Sequence, residues 1–225
     1  MLVSARRALA SYSLDAARFL SFARRMRVLD LGSGNGPILA ALQDQGCVAI
    51  GTDIDFVALQ KCSERGHRVV QARAESLAVR TASVDGVVCK VVVPYTDEAR
   101  VVAEIGRVLR PGGTAQLSYL AAGYYVRYLL LGPGVRRRVY ALQTLVNTWW
   151  YVVTGRRLPR FLANTLYQSN RRLLRYYGAA ALELVADPPS PRFLRLPVYI
   201  YHELRKSHDP ARADAHQSEM RRSTA

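Results

Sequence analysis

The residues best placed to do chemistry sit in one glycine-rich turn. Asp30-Leu31-Gly32-Ser33-Gly34-Asn35-Gly36 follows the apolar pair Val28-Leu29 and precedes Pro37. Glycine admits positive φ and leaves room for a ligand to approach the backbone. The free N–H groups of a helix start attract negative groups. Such a turn serves nucleotides, dinucleotides and methyl donors alike, but two details separate them. A dinucleotide fingerprint needs Gly-x-Gly-x-x-Gly, and position 37 is Pro. Dinucleotide sites also place an apolar residue two before the first glycine, where this chain has Asp30. No Gly-Lys-Ser/Thr follows, so a phosphate-cradling loop is excluded. The sequence shows no metal-ligand cluster, Ser-His-Asp set or catalytic Cys-His pair. Cys47, Cys62 and Cys89 form no Cys-x-x-Cys pair, so neither a disulfide framework nor a zinc site is expected, and the default is a reducing compartment.

A turn of this kind works only between a buried strand and a helix. The pattern predicts strands over 27–31, 48–53, 67–72, 85–93, 114–120, 182–186 and 198–204. Helices are expected over 12–26, 37–45, 56–65 and 98–109, with Pro37 in a first turn and Gly66 as a stop. Strands alternating with such helices imply right-handed βαβ units and a parallel sheet. At 225 residues the chain suits a single domain over 1–206. Residues 207–225 are small and polar, and a disordered tail is expected there.

The second half has a different composition. Residues 121–177 hold both tryptophans, eight of the thirteen tyrosines and ten arginines. The net charge is +15, and residues 105–182 carry 12 arginines and no acid, whereas residues 1–104 balance at +2. That stretch should create a positive field that attracts an anionic partner. The nearly apolar run 139–153 is interrupted by Gln143, Thr144, Asn147 and Thr148, and at 15 residues it is too short to span a bilayer. The first twenty residues carry Arg6, Arg7, Asp15 and Arg18 without an uninterrupted apolar core. A secretory signal is therefore not expected, and the cytoplasm is.

Five blocks, in order, resemble the class I S-adenosylmethionine-dependent methyltransferases, especially the small-molecule branch that includes quinone-ring methylases. The turn over 30–36 is similar to the family's first motif, and Gly51-Thr52-Asp53-Ile54-Asp55 to its acidic second-strand end. Ala74-Glu75-Ser76-Leu77 and Ser83-Val84-Asp85-Gly86-Val87-Val88 resemble its third and fourth strand signatures. Glu104-Ile105-Gly106-Arg107-Val108-Leu109-Arg110-Pro111-Gly112-Gly113 resembles its turn into strand five. The resemblance implies an α/β, doubly wound, Rossmann-like sheet of seven strands. It also implies S-adenosylmethionine as cofactor and a helical, basic and aromatic insertion over 121–177, before strand six, that covers the substrate.

The same resemblance assigns roles. Gly32, Ser33 and Gly34 would lie against the methionine portion of the cofactor, with Asp30 orienting the loop and the amino group, and Gly36 is counted with them as cofactor-binding. Asp53 would accept hydrogen bonds from both ribose hydroxyls, as a carboxylate with two acceptor oxygens can. The residues alone leave a lesser alternative, that Asp53 caps the following helix. Ile54 would pack on adenine, with Ala74 and Glu75 at its edge. Where the family often has an acid, this chain has Arg73, which cannot accept a bond from the adenine amino group. Lys90 ends strand four, where the family faces the transferred methyl. An ammonium repels a sulfonium, so Lys90 is expected to turn aside or contact substrate.

His67 and His202 flank strands and read as structural. Tyr95, Tyr119 and Tyr124 lie near strand ends on the crevice side, and no general base is chosen among them. The expected activity is methyl transfer to a small-molecule or lipid-like acceptor, and the basic, aromatic segment suggests peripheral contact with an anionic membrane surface. RNA methylation is the first alternative, because arginine among aromatics also suits single-stranded RNA. Nucleic acid is the weaker reading, since Asn/Asp-Pro-Pro-Tyr and Pro-Cys signatures are absent. A non-catalytic cofactor-fold protein that binds a membrane or partner is the second.

Overall fold

The computed structural model describes residues 21–159 and 161–208. Strand β1 (Arg27–Leu31) is buried from its second residue onward, as expected of a strand covered on both faces. It pairs in parallel with β2 (Val48–Asp53) and β4 (Val84–Lys90). The sheet grows outward through β3 (Val69–Gln71) on one side and β5 (Leu109–Leu120) on the other. Beyond β5 lie β9 (Tyr199–Lys206) and β6 (Leu182–Ala186), completing seven strands in the order β3-β2-β1-β4-β5-β9-β6. β9 runs antiparallel to both of its neighbours, so the sheet is mixed rather than wholly parallel. The reason lies in the connection from β6 to β9. It holds only a small hairpin, β7 (Arg192–Phe193) with β8 (Leu196–Pro197), and no crossover helix to reverse the chain.

Alternating side chains of β1 feed two cores. Val28 packs with Leu39, Leu42 and Val88 beneath α1 (Pro37–Asp44) and α2 (Phe56–Glu64). Leu29 and Leu31 join Ile105, Leu117 and Leu173 beneath α3 (Glu98–Val108) and α6 (Asn170–Ala179). Most of the helix expected over 12–26 lies outside the described residues. Its described end, 21–26, is irregular: Arg25 takes a left-handed φ of 67° and donates its N–H to Gly46 O at 2.8 Å. The expected tail lies outside the described residues from 209 onward.

After β5 come α4 (Ala122–Leu131), α5 (Val135–Thr154) and a strap over 155–169 that leads into α6. α6 belongs to the helix layer on the sheet, since Leu173 and Tyr177 lie in the main core. Only α4, α5 and the strap stand apart as added structure. The join is a buried ion pair. Arg172 donates to both oxygens of Glu98, at 2.7 and 3.1 Å, and also to Tyr167 O and Gln168 Oε1. Nearby, the Tyr119 and Tyr177 hydroxyls lie 2.8 Å apart, and Tyr177 meets His202 Nδ1 at 2.7 Å. This buried chain ties β5, α6 and β9 together, and burial pushes the His202 imidazole down to about 4. Glu104 and Arg107, from the fifth sequence block, clamp the loop before β4. Leu77 N donates to Glu104, and Arg107 donates to Leu77 O and Val79 O.

Arg172→Met would leave Glu98 buried and unpaired, an arrangement that costs about 3–5 kcal/mol. Urea unfolding should show that loss. Replacing Glu98 with Gln in the same chain should restore part of it by removing the orphaned charge.

Candidate active site

The carboxyl ends of β1, β2 and β4 converge on one side of the sheet, where open α/β sheets bind ligands. Val91, just past β4, adopts φ 58°, a conformation that a β-branched residue rarely takes. Its N–H donates to Ser118 O at 2.9 Å. The turn sets the Val92 side chain where a Cβ on Gly32 would stand, so only glycine fits at position 32. Gly32, at φ 80°, and Ser33 both donate their N–H groups to Thr52 O. Gly34 N donates to Asp53 Oδ2 at 2.9 Å, the Cys62 thiol donates to Gly34 O at 3.2 Å, and Arg65 donates to Asn35 O at 2.9 Å. Residues on β2 and α2 therefore hold the loop rigidly in place.

A cavity of about 360 Å³ opens beside this loop. Of the residues expected at a cofactor site, Gly32, Asp53, Ile54, Ala74 and Glu75 line it. Asp30, Ser33, Gly34 and Gly36 shape the loop instead. Ser33 is buried and packs against Gly51, with its hydroxyl unpartnered among the described residues. Gly36 begins α1 and turns toward Cys62 and His67, away from the cavity. His67 Nδ1 lies 2.9 Å from Gln43 Oε1, outside the cavity lining.

Asp53 does not cap α2. That role falls to Asp55, which accepts from Val57 N at 3.0 Å and Ala58 N at 3.2 Å. Each Asp53 oxygen accepts one backbone N–H, from Gly34 and from Asp55, and each retains acceptor capacity. Asp30 is 1% exposed, and its Oδ2 has no partner among the described residues. Burial, and secondly the charge of Asp53, push the Asp30 carboxyl up to about 7, with Lys90 opposing. Lys90 lines the cavity wall rather than turning away. Burial lowers its pKa and Asp30 partly offsets that. Glu75 pairs with Arg73 at 3.6 Å and accepts from Asp97 N.

Of the three crevice-side tyrosines expected from the sequence, only Tyr95 lines this cavity. Tyr140 donates to the Tyr95 hydroxyl at 3.3 Å, and burial raises the Tyr95 pKa further above its ordinary value. Tyr119 is wholly buried against Tyr177 on the α6 face, and Tyr124 stacks on Tyr128. A second cavity, of about 840 Å³, adjoins the first along Arg73, Glu75, Tyr95 and Thr96. Tyr151 of α5 and Arg157, Leu158, Ala163 and Asn164 of the strap form much of its remaining wall. Arg157 donates to Thr96 O at 2.9 Å, fastening the strap across the cavity. Of these wall residues the sequence marks out only Arg157, as half of the basic pair Arg156-Arg157. The one signal of the others was membership of the basic, aromatic segment.

Residues 29–117 match the family described as Methyltransferase domain. An uncharacterized methyltransferase of Mycobacterium tuberculosis is 31% identical over 105 residues, covering 46% of this chain and 43% of that protein. A tRNA (carboxymethyluridine(34)-5-O)-methyltransferase of Arabidopsis thaliana is 32% identical over 99 residues, covering 42% of this chain and 24% of that protein. The chain thus spans less than half the length of these curated relatives. In three dimensions it is similar to an S-adenosylmethionine-dependent methyltransferase from Mesorhizobium loti, with a TM-score of 0.64 at 17% identity, covering 84% of this chain and 95% of that one. That likeness shows the fold.

The buried Asp30 yields a test that needs no ligand. A carboxyl with a pKa near 7 in the folded state and 3.8 otherwise favours the fold when protonated. Its contribution is therefore lost as pH rises from about 4 through about 7. Asp30→Asn should stabilise the protein at pH 8 by up to roughly 4 kcal/mol and have little effect at pH 4. Urea unfolding of both proteins at the two pH values measures the difference.

Proposed function

With the class I S-adenosylmethionine-dependent methyltransferase fold, and with residues 29–117 matching the methyltransferase domain family, we propose that this chain transfers a methyl group from S-adenosylmethionine to a small-molecule or lipid-like acceptor. The observation that carries this reading is the junction of the two cavities along Arg73, Glu75, Tyr95 and Thr96. One cavity is sized for a cofactor beside the glycine loop, and the other is a larger space walled by the added segment.

When bound, S-adenosylmethionine supplies an activated methyl carbon. The chain's own residues bind, orient and exclude water. Asp53 offers the remaining acceptor capacity of its two oxygens to the ribose hydroxyls. Asp30, buried outside the cavity lining, would orient the loop that faces the methionine portion. Ile54, 62% exposed at the cavity wall, and Ala74 present apolar surface to adenine, with Glu75 at its edge. Alignment and exclusion of water are the main accelerating effects for such a displacement. The strap and α5 serve both. Tyr95 stays protonated at neutral pH and serves as a hydrogen-bond partner rather than a base. We place the protein in the cytoplasm. Among the described residues no helix is long and apolar enough to cross a membrane.

RNA methylation is the second reading, favoured by the name of the Arabidopsis relative and by the arginine-rich second half. Against it, Arg73 and Arg100 in the larger cavity are paired with Glu75 and Asp97 rather than free for phosphates.

Calorimetry should show binding of S-adenosylmethionine and its demethylated product but not of NAD. Asp53→Ala should weaken that binding about tenfold or more, since hydrogen bonds to a charged group are worth about 1.5–3 kcal/mol. Release of the demethylated product should follow addition of a lipid, quinone or phenolic pool. Turnover with RNA alone would favour the second reading. Binding without turnover on any pool would favour a non-catalytic cofactor-fold protein.

A further inference from the structure

Helix α5 is inside out. At helical spacing, Val135, Val139, Leu142, Val146, Trp149 and Val153 form one stripe. All six are exposed, from 45% for Val139 to 75% for Val135. The opposite face buries Thr144, Asn147 and Thr148. Thr144 bonds the Thr165 hydroxyl at 2.7 Å, and Asn147 donates to Thr165 O at 2.8 Å and accepts from Leu158 N at 2.9 Å. Thr148 accepts from Tyr167 N at 3.0 Å. The polar side is thus committed to the strap, and the apolar side has no cover among the described residues. The stripe runs about 27 Å along the helix at 1.5 Å per residue. Contiguous apolar surface on this scale marks an interaction or membrane site rather than ordinary exposure.

The surrounding charge identifies what fits. Arg136, Arg137 and Arg138 lie at one end of the stripe and Arg156 lies just past the other, while Arg157 is turned inward to Thr96 O. No acidic residue occurs between 105 and 182. A second copy laid on the stripe would set arginine against arginine, with no carboxylate from either segment to offset the repulsion. A bilayer of anionic lipid supplies both missing complements, negative headgroups for the arginines and hydrocarbon for the stripe. Trp149 and Trp150 suit the boundary between them.

We propose that the outward face of α5 is a docking surface for anionic membranes, with the stripe entering the interface and the flanking arginines contacting headgroups. The inference does not depend on the methyl-transfer reading. The stripe residues line neither of the two site cavities.

The chain's only two tryptophans, Trp149 and Trp150, both lie here, so its tryptophan emission reports on this surface alone. The full chain should sediment with phosphatidylglycerol vesicles and its emission should shift to the blue. It should bind phosphatidylcholine vesicles much less, and release the anionic ones as salt rises. Replacing Leu142 and Val146 together with Glu should lower vesicle partitioning about tenfold or more, because the apolar contribution of two large side chains is lost. Melting temperature and calorimetric binding of the demethylated cofactor should stay unchanged in that variant. Arg136, Arg137 and Arg138 changed together to Gln should weaken binding chiefly at low salt. Vesicle binding without a blue shift, or equal binding by the Leu142/Val146 variant, would overturn the proposal. So would a concentration-dependent dimer with no vesicle binding, which would assign the stripe to a second copy. Loss of cofactor binding by the parent chain would count against the methyl-transfer reading alone and leave the vesicle result standing.

Discussion

Arg172 and Glu98 face each other with side-chain exposures of 5% and 2%. Two charges so far from water are tolerable only with close geometry and further hydrogen bonds. The guanidinium meets both conditions. It bonds both carboxylate oxygens, continues to the Tyr167 carbonyl and the Gln168 side chain, and lies 5.7 Å from the Tyr151 ring centre. The consequence is architectural. Glu98 opens α3 in the cofactor half, Arg172 lies in α6, Tyr167 and Gln168 belong to the strap, and Tyr151 to α5. One ion pair therefore joins α3, α5, the strap and α6, which together form much of the wall of the larger cavity.

From that anchor the polarity of α5 follows. A helix laid over an open loop must satisfy the loop's backbone groups, and the carbonyl of Thr165 and the N–H groups of Leu158 and Tyr167 find their partners on Asn147 and Thr148. An unsatisfied buried polar group costs about 1–3 kcal/mol, so an apolar inner face would be penalised at every such contact. Polar side chains on the inner face leave the valines, leucine and tryptophan of the helix on the outside. The inverted helix is thus tied to the strap it covers.

The smaller cavity carries a different tension. Burial, and secondly the charge of Asp53, make it costly to ionise Asp30. Lys90 offsets part of this while itself losing hydration. The rigid loop matters here. Cys62, Arg65 and Asp53 each hold it by a hydrogen bond to its backbone.

Much of this was legible in the sequence. Strands 27–31, 48–53 and 182–186 have the expected bounds, because short apolar runs ended by turn residues are local signals. Gly32 of the glycine turn, Asp53, Ile54, Ala74 and Glu75 stand in blocks readable from motif order, and these five line one cavity. Other features were not readable. Whether Asp53 or Asp55 caps α2 turns on which carboxylate reaches the first free N–H groups. Tyr119 lies on the α6 face of β5 against Tyr177, and the face that a strand residue takes depends on register. The left-handed Val91, which makes Gly32 obligatory, leaves no mark in composition. Arg172 finds its partner 74 residues away, and the outward turn of the α5 stripe depends on the strap that Arg172 positions. Sequence alone determined the local periods and the order of the motifs. Tertiary structure decided which charges lose their water and which helix face meets backbone, because both depend on neighbours distant along the chain.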